Sequence, residues 1–192
     1  MTMHYITSVI IPDNATTYAT FSGIPQTYTH LQVRCNFRPF TTSAGDYQLS
    51  LTLNGDSYPN TNYSGHAMHG IGSGTAINST QGFGNWQALA GDYGNYGAIT
   101  TVPVANNFAS SIVDILDYSS TSKAKTIRAV SAVDVNGTGG QILTASSVKH
   151  SGSPNSAVTS FNLFCAGTGH TWTTGTRFDL YGITTNPIAT GA

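Results

Sequence analysis

The sequence contains no glutamate, and charged residues of any kind are scarce. All eight acidic residues are aspartate, lysine and arginine together number seven, and charged residues make up 8% of the 192 residues, against about 25% in ordinary globular domains. Helices usually draw on Glu, Lys and Arg for their solvent-facing positions. The frequent residues here are instead Thr, Ser, Asn, Gly and Tyr, which suit strands and turns. The composition therefore predicts an all-β protein.

The low charge also disfavours two kinds of partner. A net charge of −1 offers no basic cluster to neutralise phosphates, so we expect no nucleic acid. No run approaches the roughly 20 apolar residues that a membrane helix needs, so we expect no membrane partner. The N-terminal MTMHYITSVIIPD lacks the basic region of a signal peptide, and we interpret it as a strand of a protein made in a cytoplasm. Since a near-neutral surface repels its own copies weakly, we expect self-association.

Alternation of apolar and polar residues recurs along the chain and predicts about ten short strands. They cover residues 4–11, 17–23, 28–37, 47–53, 98–104, 109–118, 124–135, 141–148, 157–165 and 177–183. The sequence Asn54-Gly55-Asp56 is a hairpin-type turn signal. No linker or change of composition divides the chain, so we predict a single domain over residues 1–192. Its expected fold is a two-sheet antiparallel β-sandwich of jelly-roll-like type.

The two cysteines, Cys35 and Cys165, each alternate with hydrophobic residues on a predicted strand. We interpret both as small buried hydrophobic residues, which is the common role of a cysteine thiol in a core. A disulfide between them would require the two strands to be neighbours. The cysteines therefore do not decide the redox compartment of the protein.

Residues 63–97 interrupt the pattern of strands. They hold nine of the 21 glycines and five large aromatic residues, and a structureless segment of that length in a compact domain is expected to be functional. We predict a long Gly-rich loop insertion that is buried on assembly, so that deleting residues 70–92 leaves a folded protein. A carbohydrate-binding loop and a loop folded over its own sandwich remain open alternatives. The candidate partner-contact residues are Tyr63, His66, His69, Phe83, Trp86, Tyr93 and Tyr96.

No group of residues has the pattern of an active site. Any acid–base pair must come from aspartates, and the closest two, Asp114 and Asp117, would point to opposite faces of a strand. His66 and His69 have a spacing found in some metal sites, but zinc needs further ligands and neither cysteine lies nearby in the sequence. We therefore predict a protein that is not an enzyme and that holds no cofactor and no metal.

Three stretches together resemble proteins encoded among the structural genes of tailed phages. FSGIPQTYTHLQVR (21–34) resembles a unit F-x-x-I-P-x-x-Y-x-x-L-x-x-R, and LTLNGDSYPNTNYSGHAMHG (51–70) resembles an N-G-D…N-Y-S hairpin that precedes a variable glycine-rich insertion. WTTGTRFDLYGI (172–183) resembles a closing strand F-x-x-G-S-x-x-x-L-Y-G-I, with Trp172 and Thr176 where Phe and Ser are usual. Residues 117–118 and 123–126 fit an I-x-D-Y-x-x-T…K-T pattern.

The resemblance implies a virion structural protein without enzymatic activity. For this chain we expect a capsid decoration or cement protein on the outer capsid surface, synthesised in the host cytoplasm, with the major capsid protein and itself, as a homotrimer, for partners. The alternative is a tail or tail-fibre component that binds host-surface carbohydrate, with Trp86, Tyr93 and Tyr96 stacking on sugar rings. A secreted glycan-binding domain of an enzyme is a third interpretation, which the lack of a signal peptide disfavours.

The closing strand itself carries three local expectations. Arg177 and Asp179 share one face of it, which predicts a local ion pair worth about 0–1 kcal/mol. Gly175 is expected to let the chain turn into the strand. Gly182 is expected to mark a bulge or a close approach of backbone.

Overall fold

The computed structural model describes residues 1–40, 48–57, 62–71, 77–83, 88–90, 108–134, 141–150, 156–166 and 170–185. All regular structure in these ranges is β, as the composition predicts. The strands are β1 (Thr2–Ile10), β2 (Tyr18–Phe21), β3 (His30–Phe37), β4 (Pro39–Phe40), β5 (Gln48–Leu53), β6 (Tyr63–Ile71), β7 (Ile77–Phe83), β8 (Ala88–Ala90), β9 (Ala109–Leu116), β10 (Lys125–Asp134), β11 (Gln141–His150), β12 (Phe161–Ala166), β13 (Thr171–Trp172) and β14 (Arg177–Thr184). No helix in the described ranges has the length and apolar character to cross a membrane.

The strands form two large sheets that pack against each other. The first has eight strands in the order β1-β14-β3-β9-β10-β11-β6-β7, and the second has four in the order β2-β12-β5-β8. A small third sheet pairs β13 with β4. Every strand pair described is antiparallel. The prediction of an antiparallel β-sandwich is therefore confirmed.

The core lies between the two sheets and follows the alternation in the sequence. On β3, the first sheet buries Leu31, Val33, Cys35 and Phe37. The second sheet contributes Leu49, Leu51, Leu53, Phe161 and Leu163 to the same cluster. Cys35 and Cys165 are both buried thiols, and they lie on strands of different sheets. Their interpretation as buried hydrophobic residues is confirmed, and burial raises the pKa of the Cys35 thiol.

Several predicted strands differ from the observed ones in their first or last residues, and two of these differences have a structural cause. β9 stops at Leu116 because the next residue, Asp117, takes a left-handed conformation with φ +50°, which a strand cannot continue. Residues 157–160 precede β12 and bond to loops, with Val158 N–H donating to the Tyr118 carbonyl at 2.8 Å. The predicted strand at 98–104 lies outside the described residues.

The prediction of a loop over residues 63–97 is wrong for the three strands found within it, β6, β7 and β8. On β6, Tyr63, Gly65 and Ala67 are buried while the residues between them face outward. The small residues of this segment therefore pack within a sheet, and backbone flexibility is not their only role. Deleting residues 70–92 would remove all of β7 and β8, so the deletion is not neutral for the fold. Residues 91–97 lie outside the described ranges.

The turn after β5 has the predicted chemistry but not the predicted connection. Asn54 and Gly55 have φ of +49° and +79°, and Asp56 N–H donates to the Leu53 carbonyl at 2.9 Å, as in a two-residue hairpin turn. The next strand, β6, nevertheless belongs to the other sheet. The Asn54 side chain holds the crossing point, because its amide donates to the Ala157 carbonyl and accepts from Thr159 N–H, both at 2.9 Å.

The closing strand β14 lies between β1 and β3 in the first sheet. Arg177 Nε donates to the two carboxylate oxygens of Asp179 at 2.8 and 3.0 Å, which confirms the predicted ion pair. Gly175 turns the chain with φ +86°. At Gly182 the close neighbour is a side chain and not backbone: a Cβ there would overlap the ring of Tyr28.

We expect Gly182→Ala to destabilise the fold by about 1–3 kcal/mol, because the added methyl group must displace the Tyr28 ring. Denaturation in urea measures the free energy of unfolding. In a Tyr28→Ala background the same substitution should cost less than about 0.5 kcal/mol, since alanine is otherwise better than glycine in a strand. Equal costs in the two backgrounds would contradict the contact.

Candidate partner-contact surface

The side of the eight-stranded sheet that faces away from the core is open to solvent over several strands, and we call it the outer face. Exposed residues on it include Tyr5, Arg34, Ile112, Val130 and Met68. The second sheet differs along β5, where the residues that point away from the core, Ser50 and Thr52, are also buried. The outer face of the first sheet is therefore the candidate surface for a partner.

The strand register arranges the outer face in rows, with one residue from each of the eight strands. The first row consists of Ser8, Asp179, Arg34, Ile112, Val130, Ala145, Met68 and Ser79. The second row, beside it, consists of Tyr5, Tyr181, Gln32, Asp114, Arg128, Ser147, His66 and Gln81. Directly opposite residues in such rows lie within contact distance of each other.

Asp114 is the centre of a polar network in the second row. Gln32 Nε2 donates to one carboxylate oxygen at 2.9 Å, and Arg128 donates to the other through Nη2 at 2.6 Å and Nε at 3.2 Å. The Asp114 side chain is 9% exposed, whereas that of Arg128 is 64% exposed. The carboxylate is thus covered by its donors, and the guanidinium faces solvent.

A similar arrangement holds Asp179 on β14. Its carboxylate accepts from Arg177 and from the Ser8 hydroxyl, and its side chain is 19% exposed against 50% for Arg177. The hydrogen bond from Arg177 raises the pKa of that guanidinium. In both pairs the negative charge lies beneath and the positive charge is presented outward.

Arg34 lies between these two pairs and differs from them. Its guanidinium sits 5.1 Å from the ring centroid of Tyr181, and its polar contacts are to Gln32 Oε1 at 3.4 Å and Met3 Sδ at 3.5 Å. In the part of the chain that the structure describes, no carboxylate lies within ion-pair distance of Arg34. Its charge is therefore left without a counter-charge on an exposed face.

An apolar stripe follows Arg34 in the first row. Ile112, Val130 and Met68 are 47, 49 and 57% exposed, and Ala145 stands between the last two in the register. An open groove of about 430 Å³ lies where the stripe begins, and its lining includes Arg34, Ile112 and the Arg177–Asp179 pair. The face thus changes from cationic to apolar along one row.

Of the predicted contact residues, one lies in the core, one lies on the surface, and the others have no described side chain. Tyr63 is 0% exposed, and its hydroxyl donates to Asp56 Oδ2 at 2.9 Å while accepting from Leu53 N–H at 2.8 Å. Its prediction as a partner contact is therefore wrong, because the side chain joins the two sheets. His66 is exposed on the outer face.

The remaining predicted contacts are not tested by the described side chains. His69 and Phe83 lie on β6 and β7, and their side chains are outside the description; Trp86, Tyr93 and Tyr96 lie outside the described residues. No group of three or more His, Cys or Asp residues that could hold a metal occurs in the described ranges. Comparison of the chain with protein-family models, with curated proteins and with solved structures found no match.

The sequence interpretation missed most of the outer face. The outward positions of β9, β10 and β6 carry Ile112, Val130 and Met68, where a solvent-facing strand would carry polar residues. That departure from alternation was the available signal. The signal was missed because the eight strands come from distant parts of the chain, so the sequence does not show that these residues are neighbours.

We expect Asp114→Ala to lower the free energy of unfolding by about 1–3 kcal/mol, because it removes a covered acceptor of charge-assisted hydrogen bonds. Asp179→Ala is the matched control and should cost about 0–1 kcal/mol, since the Asp179 side chain is 19% exposed against 9% for Asp114 and pairs with an arginine near the surface. Urea denaturation of both variants measures the difference. An Asp114→Ala cost no larger than that of Asp179→Ala would contradict the network.

Proposed function

We propose that this chain is a structural protein of a tailed-phage particle that binds the outer capsid shell as a decoration or cement protein. Its partners are the major capsid protein and further copies of itself in a homotrimer. The binding is non-enzymatic and distributed over a protein surface. Many copies around the shell would give high avidity from modest single contacts.

The observation that carries the proposal is that three of the four resembling patterns, in residues 21–34, 117–126 and 172–183, contact one another. The Tyr28 ring lies on Gly182, which joins the F-x-x-I-P-x-x-Y unit to the closing L-Y-G-I. The Tyr118 hydroxyl donates to the Pro25 carbonyl, which joins the D-Y pattern to the same unit. Chance matches need not lie together in the fold, whereas these positions form one cluster.

Two further contacts belong to the same cluster. Arg34, the last position of the first unit, lies over the ring of Tyr181 in the closing strand. Asp117 accepts from Lys123 at 3.0 Å, which links the two halves of the D-Y…K-T pattern, and this bond lowers the pKa of Asp117. The residues of the resemblance thus act together in the sandwich, which supports a common origin for them.

We also propose that the sandwich is a jelly roll with four added strands. Eight of the strands can be renumbered 1 to 8 in chain order: β1, β2, β3, β5, β8, β9, β12 and β14. With these numbers, the order of neighbouring strands is 1-8-3-6 in the first sheet and 2-7-4-5 in the second. This interleaved order is what a folded-over antiparallel ribbon gives when it winds into two sheets. Strands β10, β11, β6 and β7 extend the first sheet beyond β9. Jelly rolls occur in viral capsid proteins and in lectins.

We expect the protein to co-purify with particles of the phage that encodes it and to lie on the head. Antibody labelling and electron microscopy of the particles measure its position, and purified protein should bind heads that lack it. Labelling of the tail or fibres, together with binding to a glycan array, would instead favour the carbohydrate-binding alternative. Absence from purified particles would contradict both.

A further inference from the structure

We propose that the outer face docks on a protein surface that presents a carboxylate beside an apolar row, with Arg34 receiving the carboxylate. The apolar stripe of Ile112, Val130 and Met68 would be covered in the same contact. The inference deepens the proposed function, because that function supplies the identity of the partner. The chemistry of the partner is argued from the outer face alone.

Among the described side chains of this face, the exposed charges are arginines. Three of the four arginines in the chain, Arg34, Arg128 and Arg177, lie here. The two described aspartates of these rows, Asp114 and Asp179, are mostly covered and already accept from arginine. A partner approaching the face therefore meets guanidinium groups first, and charge complementarity selects an acidic surface.

Arg34 is the position at which an external carboxylate fits. It has no ionic partner in the described part of the chain, although Asp179 is its neighbour in the register, because Arg177 and Ser8 hold that carboxylate. The Tyr181 ring supports the guanidinium from one side. A guanidinium that is already positioned loses less conformational freedom when it pairs with a carboxylate.

The apolar stripe identifies the partner as a protein surface and not a simple polyanion. Arg34 is directly opposite Ile112, which is opposite Val130, so the cation and the apolar residues form one continuous row. Exposed Met, Tyr and Arg with few Lys or Asp is the composition of protein–protein contact regions. A nucleic acid or a sulfated polysaccharide would pair with the arginines and leave the stripe in water.

The size of the face is adequate for a specific contact. Eight strands spaced about 4.8 Å apart, each about 26 Å long, give an area on the order of 1,000 Å². A standard protein–protein interface needs about 800 Å² from each partner. The face can therefore supply the whole of one side of an interface.

The first experiment tests the chemistry with defined probes. The full chain is passed over an immobilised random glutamate–tyrosine copolymer, a lysine–tyrosine copolymer of the same length, and heparin. We expect selective binding to the glutamate–tyrosine copolymer, weakened roughly tenfold by Arg34→Gln. Val130→Thr, which keeps the shape of the side chain, should weaken binding severalfold, and Arg34→Lys should restore part of what Arg34→Gln loses.

Lys123→Gln is the matched control, since Lys123 is as exposed as Arg128 but lies in the turn after β9, outside the rows. It should leave binding within about twofold of the unaltered protein. Equal loss in Lys123→Gln and Arg34→Gln, unchanged binding by Arg34→Gln, or equally tight binding to heparin or the lysine copolymer would overturn the inference.

The second experiment separates this inference from the proposed function. The same variants are added to phage heads that lack the protein. Binding of heads that is insensitive to Arg34→Gln and Val130→Thr would overturn the docking surface and leave the decoration role standing. Selective binding to the glutamate–tyrosine copolymer without binding to heads would overturn the decoration role and leave the docking surface standing.

Discussion

The ring of Tyr28 on the backbone of Gly182 is the contact on which the rest of the sandwich depends. Tyr28 lies where the chain crosses from β2 in the second sheet to β3 in the first, and Gly182 lies on the strand beside β3. Thr29 N–H donates to the Ile183 carbonyl at 2.8 Å directly beside this contact. A side chain at residue 182 would displace the Tyr28 ring from this crossing, so the packing that joins the two sheets would be weakened.

The closed core leaves the two sheets with different outer sides. In the second sheet even the outward-pointing polar residues of β5, Ser50 and Thr52, are buried. The first sheet instead exposes a broad row of arginine and apolar side chains. Few charges are available in this chain, and in two pairs on the outer face, Arg128–Asp114 and Arg177–Asp179, a carboxylate lies beneath a guanidinium group. Covering the exposed apolar side chains of this face would lower the free energy, because burial of apolar surface is favourable. The fold thus leaves one face exposed, and this is the face on which we propose that a partner docks.

The sequence predicted the local features well and the long-range ones poorly. Alternation located β3 and β5, and the Asn54-Gly55 turn has the expected conformation. The connection after that turn was missed, as were the strands within residues 63–97. Small residues such as Gly65 and Ala67 are typical of loops in a sequence, and only the neighbouring strand that covers them shows that they belong to a sheet. The rows of the outer face were not predicted, since they combine residues from all parts of the chain.

Oxidation of exposed side chains by hydroxyl radicals, on free protein and on phage particles, tests the central claim most directly. In the free protein Tyr5 and Met68 on the outer face and Tyr18 on the second sheet are all more than half exposed, so all three should be oxidised. On the particle we expect Tyr5 and Met68 to be protected severalfold and Tyr18 to react as before. Protection of Tyr18 while Tyr5 and Met68 remain reactive would show that the protein docks by its other side and would contradict the account.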